Sequence, residues 1–279
     1  MTRSETRISS SPNVAHRGGI PVAPRHNWIS SLARALPLVA VLVGFLGFWE
    51  LLSRTEIVSP IILPPPTEVG RAFIELSGEA FFWNATRVTM IETLAGFAIG
   101  SVAGLLLGAL IGTLRIFRST IYPYTIAFNN LPRIALAPVF LTWFGFGMAS
   151  KIVLAATICF FPPLVAVVVG IETVDQDAKA LMQSFGASRW KTFTSLTLPS
   201  SLPHVFAGLV NGMSLALIGA IVAEFVGATE GLGVLIETFN FRLNVAEAFA
   251  VITALGLIGF GLYGAMQLLY RRVVYWHNK

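Results

Sequence analysis

Arg133 stands in an apolar stretch, where a charge is costly and usually faces a cavity or a partner. It lies beside Pro132 and close to Asn129 and Asn130, where a broken helix would leave backbone groups for a cavity. An anionic solute would be drawn to it. Snorkelling to the interface and pairing with Glu224 are the competing readings. Glu224 closes another apolar run and reads as a gate residue, a partner in an ion pair across an interface, or a solvated boundary group. Asn211 and Ser214 lie within that run, where a polar side chain either faces a pathway or bonds a neighbouring helix. Lys151 reads as snorkelling outward. No reaction centre assembles from these groups. No glycine is followed by lysine, so the phosphate-binding pattern G-x-x-x-x-G-K-[ST] is missing. The four histidines stand apart in tails or at the edge of an apolar run, against a zinc site or a histidine-based triad. H-E-x-x-H and G-x-S-x-G do not occur. Cys159 is the one cysteine; alone it makes no intrachain disulfide or cysteine-built metal site, and it reads as a small packing residue. The expectation is no catalytic residue, no metal and no cofactor.

The other informative segment is polar and runs from Glu172 to Leu202, ETVDQDAKALMQSFGASRWKTFTSLTLPSSL. Leu181, Phe185 and Trp190 project apolar bulk from a stretch that also carries Asp175, Asp177, Lys179, Arg189 and Lys191. The pattern predicts an amphipathic helix, a turn at Gly186 and a second short helix, with a stop set by Pro199. Such an elbow lies flat on a membrane or docks in a groove of a partner protein.

The elements that must position these residues follow from composition. Of 279 residues 55% are hydrophobic and 12% charged, and mean hydropathy is +0.74. Soluble domains carry about twice that share of charge, so an ordinary soluble enzyme is excluded. Basic residues clustered among aromatics, as a nucleic-acid surface needs, are not seen. The reading is an all-α membrane protein with six transmembrane helices: Leu36–Leu52, Thr93–Leu114, Thr120–Leu141 broken near Pro132, Ile152–Ile171, Val205–Ala223 and Ala248–Tyr270. Residues 1–31 form a disordered cytoplasmic tail, 32–272 the membrane domain with its loop at 172–204, and 273–279 a cytoplasmic C-terminal tail. Ser53 to about Glu92 is a polar loop with three successive prolines and a short helix near Pro66–Leu76. Gly96, Gly100, Gly104, Gly108 and Gly112 recur every four residues, one straight stripe on a helix, read as close packing in preference to a pore lining. With both ends in the cytoplasm, 13 of the 19 Lys and Arg fall inside and four outside, as the positive-inside rule requires.

The 172–202 segment resembles the EAA loop of ATP-binding-cassette importer permeases, E-A-A-x3-G-x9-I-x-L-P. Gly186 is followed by nine residues and then Leu196-Thr197-Leu198-Pro199, in register. The E-A-A positions hold Ala180, Leu181 and Met182, so the glutamate is absent. Leu131-Pro132-Arg133-Ile134-Ala135-Leu136-Ala137-Pro138, Trp143-Phe144-Gly145-Phe146-Gly147, Ala223-Glu224-Phe225-Val226-Gly227 with Gly231-Leu232-Gly233, and Leu63-Pro64-Pro65-Pro66 resemble the sulfonate, nitrate and taurine branch, covering about Leu36 to Arg272. The resemblance implies a type I importer permease in a bacterial inner membrane. It implies partners as well: a cytoplasmic ATPase subunit, an extracytoplasmic solute-binding protein, and a second permease subunit, usually an identical copy. Its coupling helix would lie between the fourth and fifth spans. The coupling element then falls on Asp177, Leu181, Phe185, Gly186, Ala187 and Trp190, with Leu198 and Pro199 behind them. The pathway would draw on Asn129, Asn130, Arg133, Asn211, Ser214 and Glu224. The solute is a sulfonate-, taurine- or nitrate-like anion or a pyrimidine-type vitamin precursor. A secondary transporter or channel working without an ATPase is the alternative.

Overall fold

The computed structural model describes residues 28–55, 57–59 and 61–276. Of the expected tails, residues 1–27 and 277–279 lie outside them; residues 28–31 already belong to the first helix, and Val273 closes the last. The chain divides into a unit up to Gly47 and a unit from Phe48 onward. Helix α1 (Trp28–Arg54) contributes residues to both.

Within the second unit the described elements are helical. They are α2 (Pro66–Ser77), α3 (Ala80–Thr113), α4 (Arg115–Thr120), α5 (Tyr122–Asn129), a 3-10 turn (Arg133–Leu136), α6 (Ala137–Phe144), α7 (Met148–Cys159), α8 (Phe161–Glu172), α9 (Gln176–Ser184), α10 (Arg189–Thr192), a π turn (Phe193–Thr197), α11 (Leu198–Gly227), α12 (Leu232–Phe241) and α13 (Val245–Val273). Among the described residues four stretches are long and apolar enough to cross a membrane: Ala80–Thr113, Met148–Glu172, Arg189–Gly227 and Val245–Val273. The segment read as the third span is broken into α4, α5, the 3-10 turn and α6, with the break at Pro132.

One boundary is corrected. The polar loop expected to reach Glu92 stops at Glu79, because α3 starts at Ala80. At about 1.5 Å per residue its 34 residues outrun a hydrocarbon layer of about 30 Å. Its first turns therefore carry Asn84, Arg87 and Glu92 without ceasing to be helix.

The core of the span packing is the glycine stripe. Gly96 and Gly100 lie against Ala155, Ala156 and Cys159, Gly104 against Phe160, Gly108 against Leu164 and Val167, and Gly112 against Ile171. The backbone of α3 thereby approaches that of α7 and α8 closely, and Cys159 is a buried packing residue. Against the same two helices α11 brings Gly208 and Gly219 onto Pro162 and Ala155. At the end near α9, Arg118 of α4 pairs with Glu172 at the close of α8, 2.7 Å apart.

The far end is covered by two short helices, α2 and α12, packed with the start of α13. Val69, Ala72 and Leu76 of α2 join Leu232, Ile236, Phe239, Ala250 and Val251 in one core. The 3- and 4-residue spacing of the α2 residues makes this one face. Both helices begin at a residue with no capping side chain, Pro65 and Gly231. A glutamate from a longer helix serves each instead. For α2 it is Glu50 of α1, which accepts from the Thr67 N–H at 3.1 Å and the Thr67 hydroxyl at 2.9 Å, with Arg54 at 2.5 Å holding it in place. Ser53 adds a bond to the Leu63 carbonyl at 2.7 Å.

Gly70 sits on the exposed side of α2 with open space around it. Gly70→Ala is expected to stabilise the protein by about 0.5–1 kcal/mol, through helix propensity alone. A rise of about 2 °C in the thermal midpoint in detergent is the check.

Candidate functional site

The elbow between α8 and α11 is built by local rules. Asp175 caps α9 by accepting from the Asp177 N–H at 2.8 Å. The helix closes with the Gly186 N–H on the Gln183 carbonyl (2.9 Å) and the Ala187 N–H on the Met182 carbonyl (3.0 Å). That paired closure places its penultimate residue in the left-handed region, and Gly186 has φ +77°. Ser188 then caps α10 through the Lys191 N–H at 3.2 Å. The result presents apolar side chains to the exterior: Phe185 is 80% exposed, Trp190 73% and Leu181 58%. Asp177 and Leu198 are exposed as well, while Ala187 and Pro199 are half-buried. Trp190 stacks on Phe193, ring centroids 6.1 Å apart. An exposed apolar set of this kind marks a contact surface.

Arg133 begins the 3-10 turn that follows the Pro132 break. One terminal nitrogen donates to the Ile158 carbonyl at 3.0 Å. The other donates to the Asn129 side-chain oxygen at 3.3 Å. Its guanidinium carbon lies 4.7 Å from the centre of the Phe161 ring. Asn129 and Arg133 are thus brought together. Asn130 turns to its own helix, donating to the Ile126 carbonyl at 3.0 Å. Asn211 and Ser214 occupy the exposed face of α11, the serine hydroxyl 3.5 Å from the Val210 carbonyl.

Glu224 stands elsewhere, at the far end of α11 and fully buried, with 0% exposure. It accepts from the Thr89 hydroxyl at 2.6 Å and from the Gly233 N–H at 2.6 Å. The Thr89 oxygen in turn accepts from the Leu232 N–H at 2.9 Å. The first two amides of α12 are therefore capped by residues of α11 and α3, with the carboxylate at the positive end of the helix dipole. Glu92, also buried, faces Glu224 on one side and Lys151 on the other, 4.0 Å from its ammonium. Lys151 does not snorkel as expected. It is 4% exposed and donates to the carbonyls of Phe146 (2.8 Å) and Gly147 (3.1 Å), closing the loop between α6 and α7. One polar knot thus ties α3, α7, α11 and the start of α12. Thr89 and Glu92 were not anticipated. The available signal was the pair of glycines at 231 and 233 behind Glu224, which leave room for a carboxylate against backbone.

Residues 96–275 match the family model described as "Binding-protein-dependent transport system inner membrane component". The chain is 32% identical over 231 residues to the formylaminopyrimidine transport permease protein ThiX of Halalkalibacterium halodurans, covering 83% of this chain and 92% of that one. It is 32% identical over 259 residues to the riboflavin transport system permease protein RibX of Chloroflexus aurantiacus, covering 91% and 96%. With the taurine transport system permease protein TauC of Escherichia coli identity is 27% over 261 residues, covering 91% and 95%. A structure of the MetNI methionine ABC transporter in an inward-facing conformation superposes with a TM-score of 0.55 over 68% of this chain and 93% of that one; at 19% identity it shows the fold alone.

Proposed function

Because this chain belongs to the family of binding-protein-dependent transport system inner membrane components, we propose the following reading of its parts. The protein is the membrane-spanning permease of an ATP-binding-cassette importer, and nucleotide hydrolysis falls to a separate cytoplasmic subunit. The chain crosses the membrane six times with both ends inside, α1 and the broken α4–α6 segment adding to the four long apolar stretches. The excess of Lys and Arg at the elbow side supports this orientation. A second copy of the chain completes the pathway, and a solute-binding protein delivers cargo to the end carrying α2 and α12. The cargo is a small solute of the kind named for the relatives, a sulfonate or taurine on one hand and a vitamin or its pyrimidine precursor on the other.

The observation that carries this reading is the elbow: a left-handed glycine between two capped helices, in register with the G-x9-L-x-L-P spacing, showing three exposed apolar side chains. An element of that form seats in a groove of the ATPase and passes its motion to α11.

Gly186 has nothing within 4 Å of where a Cβ would stand, so substitution there acts through backbone conformation alone. Gly186→Val carries a left-handed penalty of about 1–2 kcal/mol or more, whereas asparagine tolerates that region. With the ATPase co-expressed, Gly186→Val is expected to lower ATP-dependent uptake at least tenfold at normal membrane levels. Gly186→Asn is expected to keep most of it. Wild-type uptake by the valine variant defeats the coupling role.

A further inference from the structure

We infer that Arg133 is a positioning residue that supplies, to the break between α7 and α8, the hydrogen bond that Pro162 removes, and that it does not receive the solute. In a helix the carbonyl of residue 158 accepts from the N–H of residue 162. Here residue 162 is proline and has none. The helix is interrupted at Phe160, between Cys159 and Phe161. A carbonyl freed in apolar surroundings needs another donor, and the one it finds is Arg133 at 3.0 Å.

The remaining contacts fit the same role. The second terminal nitrogen reaches the Asn129 side chain at 3.3 Å and its carbonyl at 3.5 Å, and the Phe161 ring packs on the guanidinium at 4.7 Å. Every polar partner is an oxygen acceptor from the protein itself. This is a cage that satisfies a cation, with the planar fork of arginine serving two helices at once, a task for which lysine is no substitute. Two proline-made breaks, at Pro132 and Pro162, are thereby set opposite each other with one side chain bridging them. Loss of the bridge should change how readily these segments stay in register, hence turnover, and leave solute affinity alone.

The transport arm of the test rests on the permease reading; the stability arm does not. Restoring the missing N–H by Pro162→Ala should make the arginine dispensable. Arg133→Gln is compared with the double variant Arg133→Gln/Pro162→Ala, each purified in detergent and each co-expressed with the ATPase. Uptake is followed with radiolabelled taurine, riboflavin and formylaminopyrimidine, using whichever the wild type accumulates. The single variant is expected to lower the thermal midpoint by about 3 °C or more and maximal uptake about fivefold, with KM within about twofold. The double variant should recover both midpoint and uptake. Failure of the double variant to recover overturns the assignment. So does a single variant that behaves as wild type, or one whose midpoint holds while KM rises about tenfold, the mark of a lost solute contact. If the wild type accumulates none of the three probes in an ATP-dependent way, that counts against the permease reading, and the midpoints still decide the role of Arg133.

Discussion

Gly104→Leu is expected to yield almost no monodisperse protein on extraction in mild detergent. A Cβ at Gly104 would be driven into the Phe160 carbonyl oxygen and would also lie 3.3 Å from its carbon and 3.4 Å from the Leu164 nitrogen. Those atoms are backbone, and a backbone carbonyl at a helix junction cannot swing aside as a side chain does. The helices must separate instead, losing contacts along the whole α3 face. Overpacking costs about 1–3 kcal/mol where side chains can adjust; here about 3 kcal/mol or more is expected. The stripe offers its own control. At Gly112 the obstacle is the Ile171 side chain, the terminal methyl at 2.7 Å and the Cβ at 3.2 Å, so Gly112→Ala should cost clearly less than Gly104→Ala. Equal melting shifts for the two alanine variants would mean that the α3 contact yields more easily than its geometry implies.

Glu224→Ala is the second change with a large expected effect. It leaves the Thr89 hydroxyl and the Gly233 amide unsatisfied in a fully buried site, at about 1–3 kcal/mol each, and adds a cavity. The total is about 4 kcal/mol, enough to unfold the far end. Glutamine is not a safe replacement. Its oxygen serves Thr89, but its NH2 then confronts the Gly233 N–H, donor against donor. Gly231→Ala should be nearly as harmful, because a Cβ at φ +126° would run into the Glu224 carboxylate. Thermal midpoints in detergent, together with protection of the Leu232 and Gly233 amides from hydrogen exchange, check this. Native protection in Glu224→Ala would show that α12 is capped by something else.

What could be read from the sequence was what is local. Gly186 acts within a few residues of itself, so the elbow followed from the amphipathic pattern and its turn, and the structure adds the equally local caps of Asp175 and Ser188. The glycines at intervals of four declared a close-packed stripe because their period is that of the helix. The polar knot was not legible in this way. Thr89 and Glu224 are 135 residues apart in the chain, and a glutamate at the edge of an apolar run has the same local signature whether it meets solvent or caps a distant helix. Glu92 was hidden for a related reason, since falling hydropathy marks the edge of the hydrocarbon and not the end of a helix. Arg133 was conspicuous as a charge among apolar residues, and Pro162 stands within the span expected at Ile152–Ile171. Only the fold puts the donor of one opposite the orphaned carbonyl of the other.

The π turn at Phe193–Thr197 lies just before Pro199, where the missing N–H already disturbs the helical ladder, and the Leu198 N–H bonds back to the Phe193 carbonyl. Helical backbone nevertheless runs unbroken from Arg189 to Gly227. A π turn takes in one residue more than an α turn, and each residue rotates a helix by about 100°. The compass bearing of Trp190 relative to the shaft of α11 is therefore decided by a single supernumerary amino acid, a vernier setting between the exposed tip and the rod behind it.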